Sequence, residues 1–285
     1  MKNLLLTISL SIFYIFKMAA QAAPDSLAFS VAQWETETIG KGITWQHFHF
    51  KDKQVFNSNQ NINVLKIRNK GRKIRKFFVS AGDSLVFTSV LAKQNKAVVA
   101  VNGSFFDVKE GGAVDFIKIN DKVLDTTRFT KGERTFHQKS AIAIHKNRLE
   151  ILRGDTLDIK WDEKLAYKNV MVTGPLLLWR GENAPLSKIP FNDNRHPRTC
   201  ACLTKKNDLI LMTVDGRTAE SQGVSLAELI ILMRWLKCRD AINLDGGGST
   251  TLYIDGKGVV NMPCDNKKFD HEGERKVSNI LIFKL

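Results

Sequence analysis

Apolar and polar residues alternate over much of the first part of the chain, most clearly in residues 43–50 and 62–67. Successive side chains of a β-strand point to opposite faces, so this pattern predicts antiparallel strands with one buried face. Shorter and more continuous apolar runs predict buried strands further along, at residues 97–101, 116–119, 140–144, 170–172 and 209–214.

Two segments, residues 84–95 and 226–237, are predicted to be helices. Ser225 and Glu228 have the spacing of a capping box, which marks the start of the second helix. Its apolar residues recur at helical spacing, which indicates a core-facing helix: Leu226, Leu229, Ile230, Met233 and Leu236. Each helix leads into a buried strand. The chain is therefore expected to be α+β, with a mixed, largely antiparallel sheet and a few packed helices.

Residues 1–22 have the features of a secretory signal peptide: Lys2 at the start, an apolar run over residues 4–16, and a small-x-small site at residues 20–22. No later apolar run approaches the ~18 residues of a membrane-spanning helix. We therefore expect an exported protein, periplasmic or extracellular, with no stable membrane anchor. Residues 95–285 are expected to form the main domain, and residues 23–94 a strand-rich part of it or a small addition.

The formal charge of +14 is concentrated in one run, residues 66–76, which holds seven lysines and arginines. Such a run is typical of a nucleic-acid patch or of a solvated strand face. We favour the second interpretation, a hairpin with Ile67 and Ile74 on either side of a turn near Gly71, and so expect no nucleic-acid partner. An exported basic protein can still meet anionic glycans or phosphorylated polymers.

Four cysteines in a chain of this length do not form a disulfide framework. Cys200 and Cys202 lie two residues apart on a predicted strand, so they share a face and would be strained as a pair. Cys238 lies at a predicted helix end and Cys264 in a later loop, and export would permit one bridge, for example to Cys264. The sequence does not select the pairing, and it gives no prediction of oligomeric state.

Several predicted strands end in a small polar residue followed by glycine: Asn102-Gly103, Thr173-Gly174, Asp215-Gly216 and Asp245-Gly246. One such pair is usually an ordinary turn, and Asp255-Gly256 is predicted to be one. A polar-glycine pair that recurs at several strand ends indicates more than a set of ordinary turns. Strand ends at one edge of a sheet would bring these polar groups into one pocket, which we predict to be the active site.

The last of these strand ends carries three consecutive glycines, Gly246, Gly247 and Gly248. Gly-rich nucleotide loops have a different spacing and open a helix. Here the alternating, β-branched residues 250–254 predict a strand, which argues against a nucleotide fold. The glycines instead allow close approach to the backbone, whose N–H groups favour an anionic oxygen.

Two arginines lie beside the predicted strand ends, Arg198 after Pro197 and Arg217 after Gly216. A guanidinium is a planar fork that matches two phosphate or carboxylate oxygens, although both residues could equally be surface arginines in loops. Phe105 and Phe106 follow Gly103 closely and are expected to pack in the core or to stack on a sugar.

The motifs together resemble those of the phosphodiester glycosidase family. They occur in one order along residues 95–285: Val101-Asn-Gly-Ser-Phe-Phe-Asp107, Thr173-Gly-Pro-Leu-Leu177, His196-Pro-Arg-Thr199, Val214-Asp-Gly-Arg217, Asn243-Leu-Asp-Gly-Gly-Gly-Ser-Thr250 and Gly273-Glu-Arg-Lys-Val-Ser-Asn279. Cys200-Ala-Cys202 departs from the family pattern, where small apolar residues and glycine are expected.

The resemblance implies a hydrolase that cleaves a sugar from a sugar-1-phosphodiester, the sugar being an N-acetylhexosamine. A carboxylate, Asp245 or Asp215, would stabilise an oxocarbenium-like centre or activate water. Cations and amides would hold the phosphodiester oxygens as charge collects on them. The substrate-binding residues implied are Asn102, Thr173, Arg198, Arg217, Asn243, Gly246, Gly247, Gly248, Ser249 and Arg275.

Two alternatives use the same residues. The first is a glycan-binding or envelope-assembly protein without turnover. The second is a metal-dependent phosphodiesterase in which Asp215, Asp245 and Asn102 bind Ca²⁺ or Mg²⁺ through oxygen. No Cys-x-x-Cys spacing or histidine cluster supports a zinc site, and no cofactor is otherwise predicted.

Overall fold

A computed structural model describes residues 24–70, 73–155 and 157–285. The predicted signal peptide lies outside these residues. Within the described ranges, no helix has the length and apolar character needed to cross a membrane.

The described residues are mostly strands, with a few short helices. The helices are α1 (24–31), α2 (Thr88–Gln94), α3 (Pro190–Asp193) and α4 (Leu226–Trp235). The strands are β1 (Glu35–Gly40), β2 (Ile43–Val55), β3 (Ser58–Ile67), β4 (Arg75–Ser80), β5 (Val86–Phe87), β6 (Val99–Asn102), β7 (Ile117–Ile119), β8 (Lys122–Asp125), β9 (Ser140–His145), β10 (Arg148–Arg153), β11 (Asn169–Val172), β12 (Leu176–Trp179), β13 (Glu182–Asn183), β14 (Arg198–Thr204), β15 (Leu209–Val214), β16 (Cys238–Asn243), β17 (Leu252–Ile254), β18 (Gly258–Val259), β19 (Lys276–Val277) and β20 (Asn279–Lys284).

Three larger sheets and one two-stranded ribbon make up the fold. The largest sheet has eight strands in the order β1-β2-β3-β15-β14-β16-β12-β13, and two five-stranded sheets have the orders β10-β9-β11-β7-β8 and β18-β17-β6-β20-β4. The ribbon pairs β19 with β5, and the pairings between these strands are antiparallel. The predicted α+β class is confirmed.

Strand alternation divides the apolar residues between two layers. Leu65 of β3 faces a core shared by all three large sheets, together with Val101 of β6 and Ile142 of β9. Val64, the next residue back, faces the opposite side, where α1 and α4 cover the largest sheet. This is the two-residue period that the sequence pattern indicated.

The predicted second helix is confirmed, including its capping box. The Ser225 hydroxyl accepts the Glu228 N–H (3.2 Å), and the Glu228 carboxylate accepts the Ser225 N–H (2.9 Å). The predicted first helix is shorter than expected, because residues 86–87 are strand β5 and the helix begins at Thr88.

The prediction that the basic run, residues 66–76, forms a hairpin is wrong. Strand β3 pairs with β15 and β2 in the eight-stranded sheet, whereas β4 pairs with β20 in a different sheet. Both edges of β3 are occupied, by β2 and β15, so no edge of β3 remains for β4. The expected turn residue, Gly71, lies outside the described residues.

The described strands before residue 94 share sheets with the rest of the chain. Strand β3 pairs with β15 along its length, from Ile67 opposite Leu209 to Ile62 opposite Val214. The hydrogen-bond ladder of the largest sheet thus joins the two parts of the sequence.

One disulfide connects Cys202 of β14 to Cys238 of β16, with Cα atoms 5.8 Å apart. The two strands are neighbours in the largest sheet, so the bridge lies across one strand pair. Cys200 and Cys264 are buried free thiols.

Candidate active site

Hydrogen bonds tie the predicted strand ends together around Asp245. The Asn102 amide at the end of β6 donates to the Asp245 carbonyl (2.7 Å), and the Asp245 N–H donates to the Gly103 carbonyl (3.0 Å). The Asn102 oxygen accepts from the Thr199 hydroxyl (2.7 Å) of β14. Asn102 is fully buried, so it joins the strands rather than presenting its side chain to a ligand.

A second set of bonds brings in the end of β11. The Thr173 hydroxyl donates to the Asn243 carbonyl (3.4 Å), and the Asn243 amide donates to the Gly174 carbonyl (2.9 Å). The side-chain oxygen of Asn243 is buried and has no hydrogen-bond partner among the described residues. It is therefore an unused acceptor enclosed beneath the site, because Asn243 is as fully buried as Asn102.

Asp215 lies behind this surface in a fully enclosed position. Its two carboxylate oxygens accept from the amides of Asn61 and Asn261, each at 2.8 Å. The Asn261 oxygen accepts the Leu252 N–H (2.7 Å), which fixes its amide as the group that donates to Asp215. Burial raises the pKa of Asp215, and the two amide donors oppose that shift.

Asp245 is the carboxylate at the surface of the site, and it is partly exposed. One of its oxygens accepts the Gly246 N–H (2.8 Å). Burial against the surrounding strands raises the pKa of Asp245 to about 6, although Arg275 and His137 lie close enough to favour the charged form. A carboxyl group with this pKa changes protonation state near neutral pH, as catalytic acids and bases do.

Gly246 is extended and precedes a tight 3-10 turn, Gly247–Ser249, which lies before strand β17. Gly247 has a φ of 61°, and its N–H donates to the Pro197 carbonyl (2.9 Å). A Cβ on Gly246 would lie 2.7 Å from that carbonyl oxygen, so the close approach requires glycine. Because the Gly246 and Gly247 N–H groups donate within the protein, fewer backbone donors face a ligand than the sequence suggested.

Arg217 and Arg275 lie on either side of this turn. A Cβ on Gly247 would be 2.9 Å from Nη2 of Arg217, and one on Gly248 would be 2.6 Å from Nη2 of Arg275. Arg275 is held by Asp265, with Nε–Oδ2 at 2.7 Å. Arg217 is exposed; among the described residues its guanidinium meets the Cys264 sulfur (3.9 Å) but no carboxylate.

Arg198 is in a different position, because its side chain is only 1% exposed. Its guanidinium donates to the backbone carbonyls of Val224 (3.0 Å), Phe191 (2.6 Å) and Asn194 (3.2 Å). Burial lowers its pKa to about 10, so it stays charged at neutral pH. Arg198 thus holds two chain segments against β14, the one at α3 and the one at Val224, while its Nη1 has no partner in the described part of the chain.

Sequence reasoning missed His137, which lies near Asp245. Its Nε2 is 3.3 Å from the buried Asp115 carboxylate, and its Nδ1 is 3.1 Å from the Thr135 hydroxyl. The capping box formed by Thr135 and Gln138 marks this 3-10 turn in the sequence and could have indicated a structured segment. Nothing local marks Asn61, Asn261 or Asp265 as neighbours of the site.

Aromatic rings surround His137. Its ring centroid is 4.3 Å from that of Phe105 and 5.1 Å from that of Phe136. Phe191 contacts both phenylalanines and lies beneath the Arg198 guanidinium, 4.7 Å from the ring centroid. The site therefore has an apolar, aromatic side next to its polar groups.

Buried polar atoms without partners cluster at the end of β16 and in the segment that follows it. Within the described residues, three side chains there have such an atom, Asn243, Thr250 and Thr251, whereas the Ser249 hydroxyl contacts the Asp245 carboxylate and favours its charged form. Buried polar groups are normally hydrogen-bonded, and exceptions concentrate at sites where a ligand or water completes the bonding. No cluster of three or more His, Cys, Asp or Glu side chains that could hold a metal ion occurs among the residues the structure describes.

The antiparallel fold and the motifs at its strand ends are shared with a known protein family. Residues 95–284 match the model of the phosphodiester glycosidase family, so the chain belongs to that family. The predicted resemblance is confirmed.

Individual relatives match over shorter spans. A prophage-derived protein of Bacillus subtilis, YomE, is 26% identical over 182 residues, which are 60% of this chain and 26% of YomE. The bovine N-acetylglucosamine-1-phosphodiester alpha-N-acetylglucosaminidase is 38% identical over 69 residues, 24% of this chain and 13% of the bovine protein. The matches thus span about a quarter of these relatives or less.

Solved structures share the fold. The catalytic domain of the zebrafish N-acetylglucosamine-1-phosphodiester alpha-N-acetylglucosaminidase, auto-inhibited by its pro-peptide, superposes with a TM-score of 0.67 at 22% identity, over 91% of this chain and 90% of that one. A hypothetical protein from Synechocystis gives a TM-score of 0.65 at 16% identity, over 89% of this chain and 64% of the other.

Proposed function

We propose that this protein is a hydrolase that cleaves a sugar-1-phosphodiester, releasing the sugar and leaving a phosphomonoester. The observation that carries the proposal is the carboxylate of Asp245, which lies beside a glycine turn flanked by Arg217 and Arg275. The bond to be broken needs a carboxylate at the anomeric carbon and cations at the phosphate. By analogy with the bovine relative, the sugar is an N-acetylhexosamine.

Asp245 is the proposed catalytic carboxylate. It is partly exposed, whereas Asp215 is enclosed and both of its oxygens accept from asparagine amides. Ionised Asp245 would stabilise the positive charge that develops at the anomeric carbon or activate the attacking water. Asp215 would act at a distance, by holding Asn61 and Asn261 in place.

The phosphodiester would lie against the glycine turn. Arg217, which lacks a carboxylate partner in the described chain, would pair with its oxygens, and Arg275 would add charge from the other side. Phosphate is already a good leaving group, so these cations would contribute more than a general acid.

The sugar would occupy the aromatic side of the site. Phe105 and Phe136 offer ring surface beside His137, on which a sugar face would pack. Asn243 and Ser249 are fully buried and would act from beneath the site, Ser249 by favouring the ionised form of Asp245.

We further propose that the protein works outside the cytoplasm. The leader-like residues 1–22 and the disulfide between Cys202 and Cys238 support an oxidising, exported location, periplasmic or extracellular. The proposed partner is a carbohydrate phosphodiester, without nucleic acid and without a stable membrane anchor.

Hydrolysis of a panel of sugar-1-phosphodiesters in ¹⁸O-labelled water tests the reaction directly. Cleavage of the sugar C–O bond places the label in the free sugar, whereas P–O cleavage places it in the phosphate. We expect label in the sugar and none in the phosphomonoester. Label in the phosphate would overturn the proposal in favour of a phosphodiesterase.

Two further measurements separate the alternatives. Activity that survives a chelator supports the metal-free reaction, whereas loss that Ca²⁺ or Mg²⁺ restores would support the metal-dependent enzyme. Binding of every panel member without product would support a non-catalytic glycan-binding protein. Asp255→Asn is a matched control for Asp245→Asn, because Asp255 lies in the exposed turn between β17 and β18.

A further inference from the structure

A second cleft lies at the opposite end of the strands from the active site. Strand β4 pairs with β20 so that Ser80 lies opposite Asn279 and Arg75 opposite Lys284. The Asn279 side chain accepts the Ser104 N–H (2.7 Å) near the active site. Arg75 lies five residues before Ser80 on the same extended strand, which corresponds to a distance of about 17 Å. It lines a cleft of about 690 Å³, large enough for a small oligosaccharide.

The lining of this cleft is basic. It includes Arg75, Lys76, Lys146 and Lys168, and no aspartate or glutamate. Lys168 pairs with Asp121, which lies outside the lining (3.2 Å). Arg75 and Lys146 form no ion pair with any carboxylate among the described residues. Their charge is therefore available to a ligand.

Lys76 is only 3% exposed, which is unusual for a lysine. Its ammonium donates to the carbonyls of Ile74 (3.1 Å) and Asn147 (3.0 Å). An ammonium has three N–H groups, so one donor remains after these two bonds. Burial lowers the pKa of Lys76 to about 8, and the group is still mostly charged at neutral pH.

The turn between β9 and β10 is fastened to β4. The Asn147 side chain accepts the Lys76 N–H (3.2 Å) and donates to the Ile74 carbonyl (2.9 Å). Lys146, the other turn residue, has a φ of 47°, a region that lysine rarely adopts. These bonds hold Lys146 beside the cleft in a fixed backbone, so its position is set before any ligand arrives.

An aromatic ring lies on the same surface. Phe77 is 38% exposed, and its ring centroid is 5.9 Å from the Arg75 guanidinium and 5.2 Å from the Lys284 ammonium. An exposed ring beside cations suits a sugar that carries an anionic group, because the ring packs on the apolar sugar face while the cations pair with the charge.

We propose that this cleft is a non-catalytic binding site for an anionic glycan, one whose sugars carry phosphate groups. Glycan binding at this cleft would be a second function, and it does not depend on the reaction proposed at Asp245. A single-stranded nucleic acid fits the cleft less well, since such sites present a series of rings on which successive bases stack. Phe77 is the one phenylalanine, tyrosine or tryptophan that lines this cleft.

The test uses the full chain and a labelled, phosphorylated dextran oligomer as the probe. Its affinity is measured for the wild type, for Arg75→Glu/Lys146→Glu, and for Lys205→Glu/Lys206→Glu. The last variant is the matched control, because it makes the same change in charge at two exposed residues between β14 and β15. Melting temperatures check that all three proteins are folded.

The cleft variant should bind the probe at least about tenfold more weakly, since two charge-assisted contacts are lost. The control should change by less than about twofold, and wild-type binding should weaken as salt is added. Phe77→Ala should weaken binding without altering its dependence on salt. Turnover of a small sugar-1-phosphodiester should be the same in all variants, so failure of binding and failure of the reaction are separate results.

Three results would overturn the proposal. Equal loss in the control variant would mean that net charge alone attracts the probe. Equal affinity for unphosphorylated dextran would remove the role of phosphate. Tighter binding of a single-stranded DNA oligonucleotide of the same charge, lost in the cleft variant, would make this a nucleic-acid site.

Discussion

At the scale of single residues, the two aspartates of the site occupy contrasting environments. Asp215 is enclosed, and each of its oxygens accepts from an asparagine amide. Asp245 is partly exposed and accepts from the neighbouring Gly246 N–H. Burial raises the pKa of both, but of the two carboxylates only that of Asp245 has exposed surface that a ligand can reach.

The reaction should follow the ionisation of Asp245. Because the carboxylate form is the one that acts, kcat/KM should rise with pH up to about 6, the pKa of Asp245, and then level off. Below that pH the rate should fall by about tenfold per pH unit. Asp245→Asn should lower kcat by about 10²–10⁴-fold at pH 7. Turnover that Asp245→Asn leaves unchanged would remove this residue from the mechanism.

Asp215 should matter chiefly for stability. An asparagine at this position offers one oxygen to two amide donors, so one N–H would face another. We expect Asp215→Asn to lower the free energy of unfolding by about 1–3 kcal/mol, measured in urea. Full stability combined with loss of turnover as large as that of Asp245→Asn would instead assign the chemistry to Asp215.

The two arginines predicted to hold phosphate, Arg198 and Arg217, should likewise differ in role: substitution of the first should affect stability, and substitution of the second should affect substrate binding. Arg198→Ala would remove three hydrogen bonds and leave the Phe191 and Asn194 carbonyls without their donor, and we expect it to cost about 3 kcal/mol of stability or more. Arg217→Ala, at an exposed side chain, should leave the melting temperature unchanged and raise KM by about tenfold or more. If Arg217→Ala instead unfolds the protein while KM stays constant, the assignment is wrong.

At the scale of elements, helix α4 sets the position of the site because it leads into β16 and then Asp245. Its N-terminal Glu228 accepts from the Ser225 N–H and also from Arg195, with Nη2–Oε1 at 2.6 Å. The capping box was visible in the sequence. The Arg195 contact joins residues 33 positions apart and could not be read from any local pattern.

Removing this cap should destabilise the protein by two different amounts. Ser225→Ala should cost about 1 kcal/mol, the usual loss of an N-cap. Glu228→Ala should cost more, because it also leaves the Arg195 guanidinium without its carboxylate. Urea unfolding measures both, with Ser187→Ala at an exposed loop position as control. Equal costs for the two variants would mean that the Arg195 pair contributes nothing.

Local patterns predicted many elements and few of their partners. Alternation located β2 and β3, since the two-residue period is set by the strand itself, and a continuous apolar run located β15. The strand ends at Asn102 and Asp245 were likewise visible as polar-glycine pairs. Which strands pair depends on long-range packing, so the order of the sheets and the separation of β3 from β4 were not predictable. His137 was not predicted as a site residue for the same reason, because only the fold brings it close to Asp245.

At the scale of the whole molecule, the strands that surround the shared core have two functional ends. Strands β6 and β11 end at Asn102 and Val172 on the side of the glycine turn. The opposite ends of β4, β9 and β11 carry Arg75, His145 and Asn169, which line the basic cleft. One set of antiparallel strands thus separates the proposed reaction from the proposed glycan site.

The contribution of the disulfide to the free energy of unfolding can be measured, and it bears on the compartment in which the protein works. Cys202 and Cys238 are 36 residues apart and join β14 to β16, the strand that leads to Asp245. Cross-linking a loop of this length restricts the unfolded chain, and we expect the bond to contribute about 2–4 kcal/mol. Urea unfolding with and without reductant should show that difference in the wild type. Cys200→Ala, which removes a free buried thiol, should keep the dependence on reductant.

The same measurement bears on where the protein works. A protein that relies on this bond for several kcal/mol is most stable in an oxidising compartment, which agrees with the proposed export. Cys202→Ala/Cys238→Ala should unfold at the urea concentration of the reduced wild type, whatever the redox conditions. Identical unfolding midpoints for oxidised and reduced wild type would show that the bond adds no stability, and the disulfide would no longer support an exported location.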